Sequence, residues 1–553
     1  MADLLRSKSA AAVFGLLTHF IVNSGEWEHL AHLVPPGGSL LFGTLVAFEY
    51  VADSRVGSLI QALHIVGTAA AVYLATLTAS IIIYRTYFHR LRKFPGPFGA
   101  RISKLHTISS ILPDCQLYNV IESWHKFYNS DIIRTGPREL SIVNADAIPL
   151  LHGPMSKCRK PSWYSSSYHV EGASLQTTRN RQEHKERRKA WDRAFSAKAL
   201  RDYEPRLNRH TRALIDKLKD CANQPAVRIS SWIGYFAFDV MGDIGYNRGF
   251  GMLEKGREDE IIALLHKSMA PLSLVAHIPW IIGMMLRTSF GARDLLKFIG
   301  FVQDVLIERK KISPAEPDVF SHLLDEKSED IPMHLNADSR LMIVAGSDTT
   351  HATLTWLLWE LCNNKDAQVK LRKTIDEIAP NKPFLEIDDL SNCPLLDGAI
   401  NEALRLHPAV PSGVTRETPA SGIALPDGTY IPGETIVWVP THTIQRDERY
   451  FPSPLKFMPE RWTDEAPEYI NDKRAFITFS TGPYNCVGQK LAMMEMRGVV
   501  ANLLRSFEIE FAGDMGEAVV KKSRDAFTLS VGALDVKLTI ESRGSTQQCM
   551  DMQ

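Results

Sequence analysis

A long apolar segment near the N-terminus restricts the folds that this chain can adopt. Residues 58–84 contain no Asp, Glu, Lys or Arg, and a helix of roughly 20 such residues can cross a bilayer. Arg85, Arg90, Arg92 and Lys93 follow directly with aromatic residues among them, which is typical of a cytoplasmic membrane interface. The sequence therefore predicts a transmembrane helix over 58–84, with a buried helix of a soluble core as the alternative.

Two shorter apolar stretches precede this helix, at 10–22 and 40–51. Each is shorter than a comfortable span, so the sequence allows one to three transmembrane helices. Arg6 and Lys8 before the first stretch also fit a cleavable signal peptide, which would change the topology and not the attachment. We therefore expect residues 1–93 to form a membrane-anchoring region.

The segment after the basic flank marks a domain boundary. Pro95 and Pro97 prevent a helix from continuing and favour an extended connection. Residues 94–543 contain no low-complexity linker and no internal repeat, so they are predicted to form one large catalytic domain. Residues 544–553 are expected to form a flexible tail.

The composition is that of an ordinary globular protein. Of the 553 residues, 45% are hydrophobic and 23% are charged, so the chain is long enough for a large core. Its 63 basic and 63 acidic residues cancel, and no overall field favours a nucleic-acid partner. Widely spaced cysteines without a CxxC pair argue against a disulfide framework and against a zinc module.

Periodic patterns predict a mainly α-helical fold with small β-sheets. Helical patterns cover 341–361, 397–406 and 489–507, whereas the strand-like runs at 435–439 and 536–540 are short. Helices therefore dominate the predicted architecture.

Cys486 is predicted to lie on a loop directly before a helix. Prolines break up the preceding stretch, at Pro452, Pro454, Pro459, Pro467 and Pro483. The helical pattern then starts at Val487 and continues to Arg497. Backbone N–H groups and the dipole at a helix N-terminus stabilise a thiolate and lower the pKa of the cysteine. This environment suits a thiolate that binds iron.

The residues around Cys486 form a specific motif. An aromatic residue, a glycine, the cysteine and a second glycine are closely spaced in Phe479-Ser-Thr-Gly482-Pro-Tyr484-Asn-Cys486-Val-Gly488. This stretch resembles the haem loop of cytochromes P450, F-x-x-G-x-R-x-C-x-G, at every fixed position except Tyr484, where arginine is usual. The resemblance implies haem b as the cofactor and Cys486 as its iron ligand. Because the usual arginine pairs with a haem propionate, another cation or a phenol hydrogen bond must take over that role.

The apolar helical stretch before this loop carries an acid beside a hydroxyl group, Asp348 next to Thr349, which is costly without a purpose. Ala345-Gly346-Ser-Asp348-Thr349 resembles the oxygen-binding segment of the central P450 helix. The resemblance implies that Gly346 leaves room for dioxygen, that Asp348 supplies protons from solvent, and that Thr349 assists protonation of the oxygen. A local bond from Thr349 to the carbonyl of Ala345 is the alternative, although it does not explain Asp348.

Glu402 and Arg405 are spaced i to i+3 on a predicted helix, which is a weak signal by itself. They precede Cys486 as the E-x-x-R pair does in cytochromes P450, and Pro-Glu-Arg461-Trp stands between them and Cys486 like the PERF segment of the family. The resemblance implies a buried triad of Glu402, Arg405 and Arg461 that holds the cysteine loop in place. Its role is structural and not catalytic.

Family position assigns further cations to the haem propionates. These are His184 and Arg188, in a predicted helix that ends near Phe195, and Arg416. Sequence alone does not support them, and each is otherwise an ordinary surface side chain. Tyr484 is the remaining candidate for a propionate contact.

The resemblance implies a monooxygenase that inserts one oxygen atom of O2 into an apolar molecule. Each turnover needs two electrons, and the chain has neither a dinucleotide-binding fingerprint nor a spare domain for flavins. We therefore expect a separate NADPH–cytochrome P450 reductase in the same membrane, that of the endoplasmic reticulum, with the catalytic domain facing the cytoplasm. Positive residues near the cysteine loop would dock it or simply aid solubility: Lys473, Arg474, Lys490 and Arg497.

The haem loop and residues 491–497 resemble those of fungal microsomal cytochromes P450 of the tryprostatin B 6-hydroxylase type, as does the N-terminus with its apolar stretches. Such enzymes act in secondary metabolism on indole alkaloids, terpenoids or polyketides, so the substrate itself stays open. In this fold the pocket would draw on 160–180, 268–290, the helix before Ala345 and 411–414.

Two other functions fit the same motifs. A P450-type enzyme for oxidative coupling or desaturation shares the oxygen-activating residues Asp348 and Thr349 and differs only in its product. A membrane haem-binding protein without turnover would explain why Tyr484 replaces the arginine. Product analysis and NADPH oxidation separate both from a monooxygenase.

Overall fold

The computed structural model describes residues 6–52, 56–166, 168–288, 292–325 and 330–540. These residues form many helices and short strands, so the predicted mainly α-helical class with small β-sheets is confirmed. The predicted tail at 544–553 lies outside the described residues, as do the last residues of the predicted catalytic domain, 541–543.

In the described part of the N-terminal region, three apolar helices follow one another: α1 (Lys8–Val22), α2 (Val34–Ala52) and α3 (Leu59–Ile83). The side chain of Ser58 caps α3 by accepting a hydrogen bond from the backbone of Gln61. α3 continues into a π-helical turn at Tyr84–Phe88. The segments Glu28–Val51 and Leu59–Phe88 are long and apolar enough to cross a membrane, whereas α1 is apolar but shorter.

α1 packs against α3 and runs in the same direction. Tyr73 OH donates to Thr18 Oγ1 at 3.1 Å, and His19 Nδ1 lies 2.7 Å from Ser80 Oγ. Gly15 permits this close approach, because a Cβ there would lie 2.8 Å from the carbonyl oxygen of Tyr73. Since the chain passes from α3 into the catalytic domain, both helices end on the side of that domain.

The remaining helices lie outside the N-terminal region. Those before the central helix are α4 (Phe98–Ile102), α5 (Leu105–Ile111), α6 (Leu117–Tyr128), α7 (Ala147–His152), α8 (Tyr168–Glu171), α9 (Arg181–Ala194), α10 (Ala197–Cys221), α11 (Ile229–Tyr246), α12 (Met252–Lys255), α13 (Glu260–Val275), α14 (Pro279–Thr288), α15 (Arg293–Lys310) and α16 (Phe320–Leu323). The central helix and those after it are α17 (Met333–Asn363), α18 (Lys365–Ile378), α19 (Pro394–Leu406), α20 (Thr441–Ile444), α21 (Gln489–Ser506) and α22 (Ala518–Lys522). Short 3₁₀ turns lie at Glu28–Leu33, Ser162–Ser165, Ile387–Leu390, Pro459–Trp462, Pro467–Tyr469, Lys473–Ala475 and Gly482–Tyr484.

The strands are short and form small sheets. They are β1 (Ile132–Gly136), β2 (Glu139–Ile142), β3 (Val227–Arg228), β4 (Arg416–Glu417), β5 (Ile423–Ala424), β6 (Tyr430–Ile431), β7 (Ile436–Trp438), β8 (Phe507–Phe511), β9 (Arg524–Ala526), β10 (Thr528–Ser530) and β11 (Asp535–Ile540). One sheet has the order β1-β2-β7-β4, a second has the order β3-β11-β8, and β5-β6 and β9-β10 pair separately. β2 and β7 run parallel, and Arg416 of β4 lies opposite Val437 of β7.

α17 runs through the larger hydrophobic core and packs against α11, α15, α19 and α21. It is longer at both ends than the predicted helix over 341–361, because its first turns carry polar residues that hide the apolar period. A second buried cluster covers the sheet that contains β1, and it includes Leu91 and Phe94. Some residues before the predicted boundary at 94 therefore pack on this sheet, and the boundary itself stays a prediction.

Candidate active site

An internal cavity of about 310 Å³ lies beside the middle of α17. Apolar side chains contribute most of its lining, among them Trp191, Leu341, Val410, Val414 and Phe527. Three of the four segments predicted to form the pocket line it, and no described residue of 268–288 does. The predicted contribution of this segment is wrong for the described residues, because α13 packs against β9 and α14 packs against the 3₁₀ turn at Glu28–Leu33.

The Cys486 side chain faces this cavity from the loop before α21. The backbone N–H of Cys486 donates to the carbonyl of Phe479 at 2.9 Å, which closes the loop. Gly482 has a φ of +72°, and any side chain there would collide with the carbonyl oxygen of His152. Gly488 lies close to the sulfur, since a Cβ at this position would be 4.0 Å from Cys486 Sγ. The loop conformation thus depends on Gly482.

The helix after the cysteine begins later than predicted. α21 starts at Gln489 and not at Val487, because Gly488 takes the N-cap position. Burial raises the pKa of the Cys486 thiol, and the hydrogen bonds from Gly488 and Gln489 together with the charge of Arg188 oppose it only in part. Burial therefore opposes the lowering that is expected from the helix N-terminus, although the Cys486 side chain is exposed to the cavity.

The middle of α17 contributes a second set of side chains to the cavity, including Gly346 and Thr349. A side chain in place of Gly346 would collide with Met241 of α11, so the small residue also allows the two helices to pack closely. Thr349 Oγ1 donates to the carbonyl oxygen of Ala345 at 2.7 Å. The local bond expected as the alternative is therefore present, while Thr349 still lines the cavity.

Asp348 is buried and lies next to His266 of α13. Asp348 Oδ1 is 3.7 Å from His266 Nε2, and Asp348 is not among the residues that line the cavity. Asp348 and Thr349 are therefore adjacent in sequence, but they face different surroundings. No sequence pattern indicates His266, because it lies far from Asp348 along the chain.

Basic side chains surround Tyr484 at the cavity. The rings of His184 and Tyr484 have centroids 4.5 Å apart, and the guanidinium carbon of Arg416 lies 5.0 Å from the Tyr484 centroid. Lys160, which sequence reasoning missed, brings its Nζ within 4.5 Å of the same centroid. We call Lys160, His184 and Arg416 the basic cluster. Lys160 stands in a loop without periodicity, so no sequence pattern marks it.

The basic cluster is buried and electrostatically unfavourable without an anion. Lys160 Nζ donates to the carbonyl oxygens of Leu175 at 3.3 Å and Gln176 at 2.6 Å. Burial and the charge of Arg416 lower the pKa of Lys160 to about 6. Burial and the neighbouring cations likewise lower the pKa of His184 to about 3. A bound anion would favour the charged forms of these side chains.

Arg188 supports the cysteine loop directly. Its guanidinium donates to the backbone oxygen of Asn485 at 2.8 Å and to the side-chain oxygen of Asn485 at 3.0 Å. It also pairs with Asp192 at 2.7 Å. Arg188 therefore holds the residue before Cys486 in place, while it also lines the cavity.

Haem, which the resemblance implies, fits this set of side chains. Cys486 offers a thiol at the cavity, and the basic cluster offers charge for carboxylate groups. Arg416 Nε is a buried donor without a hydrogen-bond partner among the described residues, and an anionic group would satisfy it. The apolar remainder of the lining suits a flat hydrophobic ring.

The structure brings Glu402, Arg405 and Arg461 together in a buried network. Arg405 donates to both carboxylate oxygens of Glu402 at 2.9 and 2.8 Å, and Arg461 Nε donates to Glu402 Oε1 at 2.9 Å. All three side chains are fully buried. Gln445 connects this network to the cysteine loop, because its backbone oxygen accepts from Arg405 and its Oε1 accepts from the N–H of Ile477 at 3.0 Å.

The residues predicted to dock a reductase differ in their surroundings. Arg474 and Arg497 each pair with a nearby carboxylate at 2.6 Å, whereas Lys473 and Lys490 are exposed. Paired arginines present less positive charge to a partner. The docking prediction therefore rests mainly on the two lysines.

Glu495 of α21 is a further buried acid that sequence reasoning missed. It lines the cavity, and its Oε2 has no hydrogen-bond partner among the described residues. Burial raises the pKa of Glu495 to about 8, although a hydrogen bond with Thr350 opposes the shift. Glu495 is therefore neutral over much of the physiological pH range.

Sequence comparisons agree with this geometry. The family model described as Cytochrome P450 matches residues 117–536. Cytochrome P450 monooxygenase FCK2 of Fusarium pseudograminearum is 38% identical over 539 residues, which cover 95% of this chain and 96% of the relative. Cytochrome P450 monooxygenase phqL of Penicillium fellutanum is 33% identical, with 96% of this chain and 94% of the relative covered. Tryprostatin B 6-hydroxylase of Aspergillus fumigatus is 35% identical, with 85% of this chain and 84% of the relative covered.

The matched residues include the cavity, the cysteine loop and α17. The resemblance to cytochromes P450 is confirmed, and so is the resemblance to the fungal type that includes tryprostatin B 6-hydroxylase. The chain therefore belongs to the cytochrome P450 family, and it is a haem b monooxygenase that acts on a small molecule and takes its electrons from a redox partner.

Proposed function

We propose that this protein is a membrane-anchored haem-thiolate monooxygenase that inserts one oxygen atom from O2 into an apolar fungal secondary metabolite. One observation carries the proposal: a single cavity is lined by Cys486, by Gly346 and Thr349 of α17, and by the basic cluster. In this proposal Cys486 is the iron ligand. Tyr484 and the basic cluster would hold the carboxylates of the cofactor.

Different residues around the cavity have different roles in the reaction. When bound at Cys486, haem would supply the oxygen-activating chemistry, and a thiolate ligand would favour cleavage of the O–O bond. Cys486 supplies that thiolate, and Thr349 holds a proton on Oγ1 at the cavity surface. Asp348, the preceding residue on α17, supplies protons toward Thr349. The apolar lining packs the substrate and excludes water.

The supporting residues fix the cofactor loop. Phe479, Gly482 and Gly488 shape the backbone around Cys486, and Arg188 holds the residue before it. The triad of Glu402, Arg405 and Arg461 holds the segment that leads into this loop, with its charges satisfied inside the protein. These residues position the site and take no part in proton transfer.

An apolar secondary metabolite is the proposed substrate class, which includes indole alkaloids, terpenoids and polyketides. The mainly apolar lining of the cavity supports an apolar ligand. Two relatives carry the name tryprostatin B 6-hydroxylase. Tryprostatin B is therefore the first compound to test.

The N-terminal helices support attachment to a membrane, and we propose that this is the membrane of the endoplasmic reticulum. We assign residues 1–93 to the anchor and 94–543 to a catalytic domain on the cytoplasmic side. Large apolar side chains on α1, α2 and α3 are exposed and would contact lipid. The electron donor in this proposal is NADPH–cytochrome P450 reductase, which docks near Lys473 and Lys490.

The function is tested in microsomes that contain the protein and the reductase, with NADPH, ¹⁸O2 and tryprostatin B followed by a panel of indole alkaloids, terpenoids and polyketides. We expect a product that carries one labelled oxygen atom. A coupled or desaturated product without label would instead favour the alternative chemistry. If no compound stimulates NADPH oxidation, the protein is a haem-binding protein without turnover.

The variant Thr349→Ala tests the role of Thr349 in oxygen activation. We expect more hydrogen peroxide per NADPH and less product, because the proton donor at the cavity is lost. Thr374→Ala is the control, since Thr374 makes the same bond to the carbonyl four residues earlier, at 3.1 Å, on the exposed face of α18. Equal coupling in both variants would remove Thr349 from the mechanism.

A further inference from the structure

A second, polar cleft lies between α11, α12, α13 and α15. It has a volume of about 490 Å³, and charged side chains such as Arg248, Arg257 and Glu258 line it. This cleft shares no lining residue with the cavity that contains Cys486. A proton that moves from the cleft to the cavity must therefore pass through the residues that lie between them.

Two side chains connect the cleft to the buried acid of α17. Glu258 Oε1 lies 2.5 Å from His266 Nδ1, and His266 Nε2 lies 3.7 Å from Asp348 Oδ1. The side chains of Glu258 and His266 are 39% and 38% exposed, whereas that of Asp348 is 9% exposed. The imidazole thus has one nitrogen toward a solvent-accessible carboxylate and the other toward a buried one.

The surroundings of His266 favour its protonated form. Burial alone would lower its pKa, but the negative charges of Asp348 and Glu258 and the hydrogen bond with Glu258 raise the pKa of His266 to about 9. The other titratable neighbour is His351, and burial followed by the charge of His266 lowers the pKa of His351 to about 4. The ring of Phe238 packs edge-on against His266 with centroids 5.5 Å apart. At neutral pH, His266 therefore carries a proton and His351 does not.

We propose that Glu258 and His266 form a proton relay that carries protons from the polar cleft to Asp348. This inference rests on the proposed function, in which Asp348 and Thr349 serve oxygen activation. Protonated His266 passes the proton on Nε2 to the Asp348 carboxylate and keeps the proton on Nδ1. After the ring turns over, the deprotonated nitrogen faces Glu258 and takes a new proton from its carboxyl group, which water in the cleft reprotonates. Hydroxylation of one substrate C–H bond by O2 consumes two protons and two electrons and releases one water, so the relay acts twice in each turnover. His266 reprotonates Asp348 after each transfer and does not contact the substrate.

The protonation of His266 is tested by mass spectrometry of histidine C2 hydrogen exchange as a function of pH in the haem-loaded protein. We expect a midpoint near 9 for His266, and a midpoint lower by about one pH unit or more in Asp348→Asn. His210, which pairs with Asp243 at 2.9 Å and lines neither space, is the internal reference and should not respond to Asp348→Asn. A His266 midpoint near the ordinary value of about 6.5, unchanged in Asp348→Asn, overturns the inference. This measurement does not depend on turnover.

Proton delivery itself is tested by comparing two reactions of the haem-loaded protein with indole as the apolar probe. The NADPH-driven reaction needs delivered protons, whereas added hydrogen peroxide brings its own. We expect His266→Gln and Glu258→Gln to lower the NADPH-driven rate at least tenfold relative to the peroxide-driven rate, and His210→Gln to change neither.

His266→Arg distinguishes a relay from a structural ion pair. Arginine keeps a cation beside Asp348, but it cannot release its proton. A relay predicts that His266→Arg is as defective as His266→Gln, and restoration by arginine overturns it. If Thr349→Ala lowers the NADPH-driven rate while His266→Gln does not, the relay alone fails. If neither variant has an effect, the proposed role of Asp348 and Thr349 fails as well.

Discussion

Tyr484 occupies the position at which cytochromes P450 usually carry an arginine, and Lys160 reaches the same place from a distant loop. The motif around Cys486 predicts that some other group must replace the arginine, but it does not say which one. The identity of that group depends on the packing of the loop between α7 and α9 against the cysteine loop. Periodicity carries no information on such a contact, so Lys160 became visible only in the structure.

Replacing Lys160 by methionine should loosen haem. A charge-assisted hydrogen bond contributes about 1.5–3 kcal/mol, so Lys160→Met should speed haem transfer to an acceptor protein about tenfold or more, measured by the Soret absorbance. Lys157→Met, an exposed lysine of the same loop, is the control and should leave the rate unchanged. Equal rates for both variants would exclude Lys160 from haem binding.

The buried acid Glu495 leads to a prediction about how the stability of the protein depends on pH. Its pKa is raised to about 8 in the folded protein, so between about pH 4.5 and 8 the folded state holds a proton that the unfolded state has released. Stability should therefore fall as the pH rises through this range, by at most about 1.4 kcal/mol per pH unit. Glu495→Gln should remove this dependence, so that its free energy of unfolding relative to the parent increases from pH 5 to pH 8.

Unfolding in detergent, followed by tryptophan fluorescence at pH 5 and pH 8, measures this effect. Glu508→Gln, which alters an exposed acid on β8, is the control. A pH dependence of Glu495→Gln that equals that of the parent would show that Glu495 is ionised in the folded protein.

The elements of the site were predictable to different degrees. The helices at 397–406 and 489–507 are observed as Pro394–Leu406 and Gln489–Ser506, because their apolar periods are regular. The first turns of α17 were missed because polar residues interrupt the period. The raised pKa of Cys486 was also missed, because burial in the assembled fold cannot be read from the position of a cysteine before a helix.

The triad yields a prediction at the scale of elements. Glu402→Gln leaves Arg405 and Arg461 buried with less negative charge, and breaking such a network typically costs about 3–5 kcal/mol. We expect a much lower unfolding midpoint in urea and loss of haem at 37 °C. Glu460→Gln, which alters a partly exposed acid paired with Lys370, should cost less than about 1 kcal/mol. Similar stability of the two variants would contradict the structural role of the triad.

At the scale of the whole molecule, the structure adds information on the membrane anchor that the sequence does not contain. Composition allows one to three spans and gives no direction for α1. The structure adds that Arg6, just before α1, bonds Glu49 near the end of α2 at 2.8 Å. It also adds that Glu26, just after α1, bonds Arg179 of the catalytic domain at 2.7 Å. The two ends of α1 therefore lie at opposite ends of the helical bundle.

If all three helices cross the membrane, the N-terminus and the catalytic domain lie on opposite sides. We predict that an N-glycosylation acceptor placed before Lys8 is glycosylated in microsomes, as is one placed between α2 and α3. An acceptor added after the C-terminus should remain unmodified. Modification of the acceptor between α2 and α3 alone would show that α1 does not cross.

The central claim is that Cys486 binds haem iron as a thiolate, and the reduced, CO-bound difference spectrum of the protein in microsomes tests it most directly. We predict a Soret band at the red-shifted position of thiolate-ligated haem, and its loss in Cys486→Ala but not in Cys393→Ala, which alters a buried cysteine outside the cavity. A band at the position of histidine-ligated haem in the parent protein, or an unchanged band in Cys486→Ala, would contradict the account.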